Sequence, residues 1–162
     1  MNGAELTSFA GVSTCLSVWI MHLLEFAPPR VKVAQFNLTI GKGGRYLQPA
    51  SRILAVSIMT LLYLAYVTPS SGWGFKCTVY AIALVMLVPV APYEIYLIFP
   101  INDRVAELGT KMEKEGTDDN EVIDQELIML LRKWRFRNWG RAGPCLAIGI
   151  LLAFAGSPLV TG

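Results

Sequence analysis

Four mostly apolar segments alternate with polar stretches along this chain. The segments are residues 6–27, 47–67, 77–99 and 142–160. Each is long enough to cross a hydrocarbon core of about 30 Å as a helix. With 54% hydrophobic and 16% charged residues, the chain is also more apolar than a soluble domain. The pattern predicts an all-α fold, a four-helix transmembrane bundle forming one integral membrane domain over residues 1–162, with polar connections 28–46 and 100–141.

Prolines, glycines and apolar periodicity refine this pattern. Pro89 and Pro92 each remove a backbone hydrogen bond, so we expect a kinked third helix. The glycines of residues 41–44 are interpreted as a turn in the first connection. Before the fourth segment, apolar residues recur at helical spacing and predict a cytosolic amphipathic helix. Its apolar positions are Val122, Ile123, Leu127, Leu130, Leu131 and Trp134.

The positions of the basic residues predict the orientation in the membrane. Of 14 Lys and Arg residues, 13 lie within residues 30–52 and 104–141, on one side of a four-span bundle. Connections rich in Lys and Arg tend to face the cytosol. We therefore expect both termini on the non-cytosolic side of the endoplasmic reticulum or another endomembrane. The lipid bilayer is the expected partner, and the pattern of charges does not indicate nucleic-acid binding. Whether the protein forms a homo-oligomer is left open by the sequence.

Polar side chains lie near the cytosolic ends of the apolar segments. Glu94 lies roughly 9 Å inside the third segment, at a rise of about 1.5 Å per residue. An ionisable residue at such a depth is a candidate functional group. His22 and Glu25 are three residues apart and share one face of the first helix. Arg52 opens the second span from the same side.

Structural roles for these residues stay open. His22 and Glu25 could form an interhelical hydrogen-bonded pair, and Glu94 could form a salt bridge to Arg52 or Arg141. Tyr93 fits the aromatic belt of a membrane interface. A metal site is not expected, because one histidine cannot complete a facial triad of two histidines and a carboxylate. No haem-attachment or dinucleotide motif is present.

Two short motifs flank the long second connection. Pro100-Ile-Asn102 leaves the third span, and Trp134-Arg-Phe-Arg-Asn138-Trp-Gly-Arg141 leads into the fourth. Together with the length and the four spans, they resemble the small membrane family that contains the fungal anthrone oxygenases. The resemblance implies an enzyme of secondary metabolism, a monooxygenase that converts a small, planar, apolar polyketide anthrone to an anthraquinone. It also implies that molecular oxygen is the co-substrate and that no flavin, haem or metal takes part.

The resemblance assigns substrate binding to the matched motif positions Asn102, Asn138 and Arg141. Anthrone oxidation needs a base that removes an acidic C–H proton and groups that stabilise the resulting anion. His22, tuned by Glu25, is the first candidate base, and Glu94 is the second. Further candidate substrate-binding residues are Trp134, Tyr93 and Arg52.

Other function classes use the same residues. A membrane isomerase or cyclase acting on another natural product would need the same base and anion-binding groups, but no oxygen. A small proton-coupled transporter could use Glu94 as its membrane carboxylate. A tetraspan scaffold is disfavoured by the short connection between the second and third segments.

Overall fold

The described part of the chain is helical almost throughout. The structure is a computed structural model that describes Gly11 and residues 14–68, 73–116 and 121–155. In chain order the elements are π1 (Leu16–Ile20), α1 (Met21–Leu24), α2 (Pro29–Val67), α3 (Trp73–Leu87), α4 (Val90–Tyr93), π2 (Glu94–Ile98), α5 (Phe99–Glu115) and α6 (Glu121–Ala155). They form four consecutive helices, since π1 continues into α1 and α3 continues through α4 and π2 into α5. The described ranges hold no strand, and the predicted all-α fold is confirmed.

The first polar connection belongs to a helix. α2 begins at Pro29, a favoured first helical residue, and runs through residues 41–44 without interruption. The interpretation of these glycines as a turn is therefore wrong. Lys32, Val33 and Phe36 are buried on one face of α2. This packing holds the glycines in a helix, although each costs about 1 kcal/mol relative to alanine.

The second polar connection is also largely helical. α5 continues beyond the third apolar segment to Glu115 and ends at Gly116, whose φ of 62° is the left-handed conformation that glycine adopts at helix ends. α6 contains both the amphipathic stretch and the start of the fourth apolar segment, and it passes through Pro144. The amphipathic stretch therefore extends into the fourth apolar segment as one continuous helix.

Regular α-helical geometry is interrupted in the third apolar segment. α3 ends at Leu87, a turn at Val88 and Pro89 follows, and the wider π2 turn ends just before Phe99. Pro89 and Pro100 cannot donate backbone hydrogen bonds, which favours irregular geometry on their N-terminal side. The kink predicted for this helix stays a prediction.

Within the part of the chain that the structure describes, two helices are long and apolar enough to cross a membrane, namely Pro29–Val67 and Gly74–Glu115. Only 11% and 17% of their apolar windows are buried inside the protein, whereas the core helix of a soluble protein is mostly buried. Apolar helix surface of this extent supports association with a membrane. The predicted first and fourth spans, residues 6–27 and 142–160, extend outside the described residues.

Two separate hydrophobic clusters hold the helices together. The polar-end cluster forms where the helices carry charged sequence, and it consists of Met21, Leu24, Val33, Phe36, Ile98, Ile101, Val105, Leu108, Met112, Ile123, Leu127, Leu131 and Trp134. The apolar-end cluster consists of Leu54, Ile58, Ala83 and Ile148. The polar parts of the helices therefore have a core of their own outside the apolar segments.

A buried ion pair joins α2 to α6 within the polar-end region. Lys32 is only 2% exposed, and its Nζ donates a hydrogen bond to Asp124 Oδ1. A lysine this deeply buried needs a charged or hydrogen-bonding partner, because an unpaired buried charge is costly. Lys32 belongs to the first polar connection, and its pairing with Asp124 could not be predicted from the sequence.

The contact between α2 and α5 predicts the effect of adding one methyl group. In Gly109→Ala, the new Cβ would lie 2.6 Å from Val33 Cγ1. Overpacking of this kind costs about 1–3 kcal/mol, so the midpoint of thermal unfolding in detergent should fall. Gly41→Ala is the matched control, because nothing lies within 4 Å of its added Cβ. Adding Val33→Ala to Gly109→Ala should restore part of the loss, and equal stability of the two glycine variants would contradict the packing described.

Candidate functional site

A cavity of about 300 Å³ lies between the polar-end and apolar-end clusters. One wall is α2, and a second is formed by the end of α3 together with α4, π2 and the start of α5. Leu16 of π1 and three residues of α6, Trp134, Arg141 and Cys145, complete it. The lining is mainly apolar with a few polar groups, which is the usual composition of a small-molecule site.

An ion pair lies in the wall of this cavity. Arg141 Nη1 donates a hydrogen bond to Glu94 Oε1 over 3.0 Å, and the two side chains are 14% and 19% exposed. The pair connects π2 to α6, and it is the Glu94–Arg141 salt bridge that the sequence left open. The Arg141 guanidinium also lies 6.0 Å from the centre of the Trp134 ring, at cation–π distance.

Trp134 orients a second polar group of the cavity. Its Nε1–H donates a hydrogen bond to Asn102 Oδ1 over 3.1 Å. This contact fixes the Asn102 amide so that its NH2 group is the donor left for a ligand. Because Trp134 is 3% exposed and belongs to the polar-end cluster, the amide is held by a rigid partner.

The α2 wall carries polar residues and glycines at helical spacing. Gly44, Gln48 and Arg52 follow one another at intervals of four, and all three line the cavity together with Gly43 and Ser51. Residues four apart lie on one helical face. The Arg52 side chain forms no ion pair with any described residue. The sequence predicts Arg52 as a site residue, but it indicates a turn at residues 41–44 and therefore does not place these glycines on a helix face.

Tyr93 and Asn138 hold helices together beside the cavity and are not among its lining residues. Tyr93 Oη donates a hydrogen bond to the carbonyl oxygen of Arg137 over 2.8 Å, and its ring lies against Gly140. Asn138 is fully buried, and its Nδ2 donates a hydrogen bond to Ser17 Oγ of π1. Both side chains thus position α6 against neighbouring helices.

His22 and Glu25 belong to a different cluster from Glu94. Glu25 accepts hydrogen bonds from Arg132 Nε at 3.0 Å and from Arg135 Nη1 at 3.2 Å. His22 Nδ1 lies 3.3 Å from Arg135 Nη1, and its side chain is 54% exposed. Neither His22 nor Glu25 lines the cavity. The cluster joins the end of the first helix to α6 through ion pairs.

Of the residues selected from the sequence, the structure brings five together around the cavity. These are Arg52, Glu94, Asn102, Trp134 and Arg141. His22, Glu25, Tyr93 and Asn138 lie outside its lining. Within the described ranges, no group of three or more His, Cys, Asp and Glu residues is arranged to hold a metal ion.

Residues 36–151 match the family model described as anthrone oxygenase. This match covers more than half of the chain and includes all five predicted residues of the cavity. The chain belongs to the anthrone oxygenase family. The suspected family is thereby confirmed, and an oxygenase-like function is supported. Neither the comparison with curated proteins nor that with solved structures finds a match.

The ion pair of this anthrone oxygenase family member should contribute to stability. Glu94→Gln and Arg141→Gln each leave a partly buried polar group without its charged partner, and each should lower the free energy of unfolding by about 1–3 kcal/mol. The double variant should lose less than the sum of the two, with a coupling of about 0.5 kcal/mol or more. Thermal unfolding in detergent measures all three variants.

Glu107→Gln is the control for this experiment, because the Arg104–Glu107 pair is 48% and 65% exposed. An exposed pair contributes about 0–1 kcal/mol. Strictly additive losses in the double variant would mean that Glu94 and Arg141 do not interact.

Proposed function

We propose that the protein is a membrane-embedded oxygenase that oxidises an anthrone-type tricyclic polyketide with O2 to an anthraquinone. The observation that carries the proposal is the contact between Glu94 and Arg141 in the wall of a mainly apolar cavity. Family membership supplies the reaction class. The apolar lining suits the rings of the substrate, and the paired charges suit its proton transfer.

Glu94 is the proposed base. An anthrone has a CH2 group between two aromatic rings, and loss of one proton gives an anion delocalised onto the carbonyl oxygen. Oε1 of Glu94 accepts the hydrogen bond from Arg141, whereas Oε2 accepts none from the described residues. Oε2 is therefore the atom that takes the proton. A base in contact with substrate contributes about 10²- to 10⁴-fold to the rate.

Arg141 and Asn102 are the proposed stabilisers of the anion. Arg141 brings a fixed positive charge to the cavity, and the NH2 group of Asn102 donates to the developing oxyanion. Fixed donors in a site of low dielectric stabilise a developing charge more strongly than water does. The hydrogen bond from Trp134 keeps the Asn102 amide in place, so little reorganisation accompanies the reaction.

Oxygen then reacts with the anion itself. The anion transfers one electron to O2, and recombination of the two radicals forms a C–O bond. Protonated Glu94 returns its proton to the peroxide oxygen. Removal of the second C–H proton with cleavage of the O–O bond releases water and leaves the second carbonyl. Anthrone and O2 thus give anthraquinone and water, and the four electrons lost by the CH2 carbon reduce the dioxygen molecule.

The position of His22 favours Glu94 as the base. His22 was the first candidate from the sequence, yet its half-exposed ring contacts Arg135 and Phe26 and does not line the cavity. A base has to lie within hydrogen-bonding distance of the proton it removes. We therefore give His22 and Glu25 a structural role at the end of the first helix.

The proposed location is the endoplasmic reticulum or another endomembrane, with both termini on the non-cytosolic side. Asn37-Leu-Thr39 is a glycosylation sequon, and Asn37 is exposed on α2. In the proposed orientation this part of α2 faces the cytosol, where no glycan is added. Expression in eukaryotic membranes should give protein whose mass is unchanged by glycosidase digestion. A glycan on Asn37 would contradict the proposed orientation, because it would place this part of α2 on the non-cytosolic side.

Substitutions at the two candidate bases test the proposed reaction. With an anthrone in proteoliposomes, Glu94→Gln should lower oxygen uptake and anthraquinone formation by about 10²-fold or more. His22→Ala should retain activity within a few-fold, because His22 lies outside the cavity. Loss of activity in His22→Ala with retention in Glu94→Gln, both correctly folded, would contradict the assignment. Substrate turnover without oxygen uptake would instead support an isomerase or cyclase.

A further inference from the structure

The cavity carries an unbalanced positive charge. Its lining contains the carboxylate of Glu94 and the guanidinium groups of Arg52 and Arg141. Glu94 is paired with Arg141, and Arg52 has no carboxylate partner among the described residues. The site therefore has a net charge of about +1 before a ligand binds. Arg52 is exposed, so water solvates its guanidinium in the free protein, and an anionic group on a ligand would replace that water with a charge-assisted hydrogen bond.

On the α2 wall, Gly43 and Gly44 leave the helix backbone uncovered by side chains of their own. An added Cβ at Gly43 or at Gly44 would have its nearest neighbour at 3.9 Å, in the side chains of Leu47 and Gln48. No helix packing demands glycine here, in contrast to Gly109, where an added Cβ would meet Val33 at 2.6 Å. The two glycines still lower helix stability by about 1 kcal/mol each relative to alanine.

Glycine at positions 43 and 44 leaves space in the cavity for a ligand. Gly44 and Arg52 are eight residues apart on one face of α2, which corresponds to about 12 Å along the helix axis. An elongated ring system lying along this face would contact bare backbone at Gly43 and Gly44 and would reach Arg52 at its other end. Gly41 lies on the exposed side of α2, and nothing in the structure explains it.

We propose that Arg52, at the exposed edge of the cavity, binds a carboxylate group of the planar substrate while the rings lie against Gly43 and Gly44. The assignment rests on the proposed oxygenase function for the reaction, but its binding test does not require turnover. Arg52 is a binding residue in this arrangement, and the anion stabilised during the reaction is the separate charge next to Arg141.

Equilibrium dialysis of the full chain in lipid nanodiscs tests the proposal, with empty nanodiscs as the blank. The probes are anthraquinone-2-carboxylate and uncharged 9,10-anthraquinone, which share one ring system. The wild-type protein should bind the carboxylate about tenfold more tightly than the uncharged probe, as expected for a charge-assisted hydrogen bond. Arg52→Gln should remove this preference and leave binding of the uncharged probe unchanged.

Matched variants separate the two parts of the proposal. Arg45→Gln removes a charge from an α2 residue that does not line the cavity, and it should keep the preference. Arg52→Lys should restore part of it, because lysine keeps the charge but not the planar fork. Gly44→Leu should weaken binding of both probes at least about tenfold by filling the cavity, whereas Gly41→Leu, on the exposed side, should change neither.

The binding measurements test the role of Arg52, the glycine wall and the oxygenase function separately. A wild type that binds both probes equally, or an Arg52→Gln variant that keeps the preference, overturns the role of Arg52. Unchanged binding in Gly44→Leu overturns the glycine wall. A wild type that prefers the carboxylate but oxidises no anthrone supports the binding site and overturns the oxygenase function alone. Thermal unfolding of each variant confirms that it is folded.

Discussion

The contact between Glu94 and Arg141 is the interaction on which the candidate site depends. It joins π2 to α6 at the level where the polar-end and apolar-end clusters meet. At the burial of this pair, with side chains 14% and 19% exposed, a lone carboxylate or guanidinium would carry a desolvation cost that the exposed Arg52 does not carry. As a pair, the two charges neutralise each other, and they place a proton acceptor and a cation beside the same apolar space.

The two clusters explain why the cavity forms where it does. In the apolar segments the helices expose most of their surface, so they contribute few side chains to a common core. In the charged parts the same helices pack around Phe36 and Trp134, whose rings are 6.0 Å apart in an edge-to-face contact. Between these regions α2 carries glycines instead of large side chains, and the space left there is the cavity.

The sequence predicted the helical class, the family and five of the polar or aromatic residues that line the cavity. Those residues could be found because their signals are local. They are charged residues at or within apolar segments, or they belong to the two short motifs that flank the second connection. The long helices were harder to recognise. Gly43 and Gly44 have low helix propensity, and only the packing of Val33 and Phe36, which local sequence does not encode, shows that α2 is continuous.

The surroundings of His22 also could not be predicted from the sequence. Spacing placed His22 and Glu25 on one helix face, but it could not show which neighbouring helix that face meets. In the structure the face meets Arg132 and Arg135 of α6, roughly two to three helical turns away from Arg141. Glu25 is thus held outside the cavity, whereas the Glu94 carboxylate lies in its lining and can act on a ligand there.

Proton removal in the absence of oxygen tests the central claim most directly. The purified protein in nanodiscs, anaerobic and in deuterated buffer, would be given an anthrone, and exchange of its CH2 protons would be followed by NMR. The wild type should accelerate exchange above the buffer rate, and Glu94→Gln should lose that acceleration. Equal acceleration by the wild type and Glu94→Gln would contradict the assignment of Glu94 as the base.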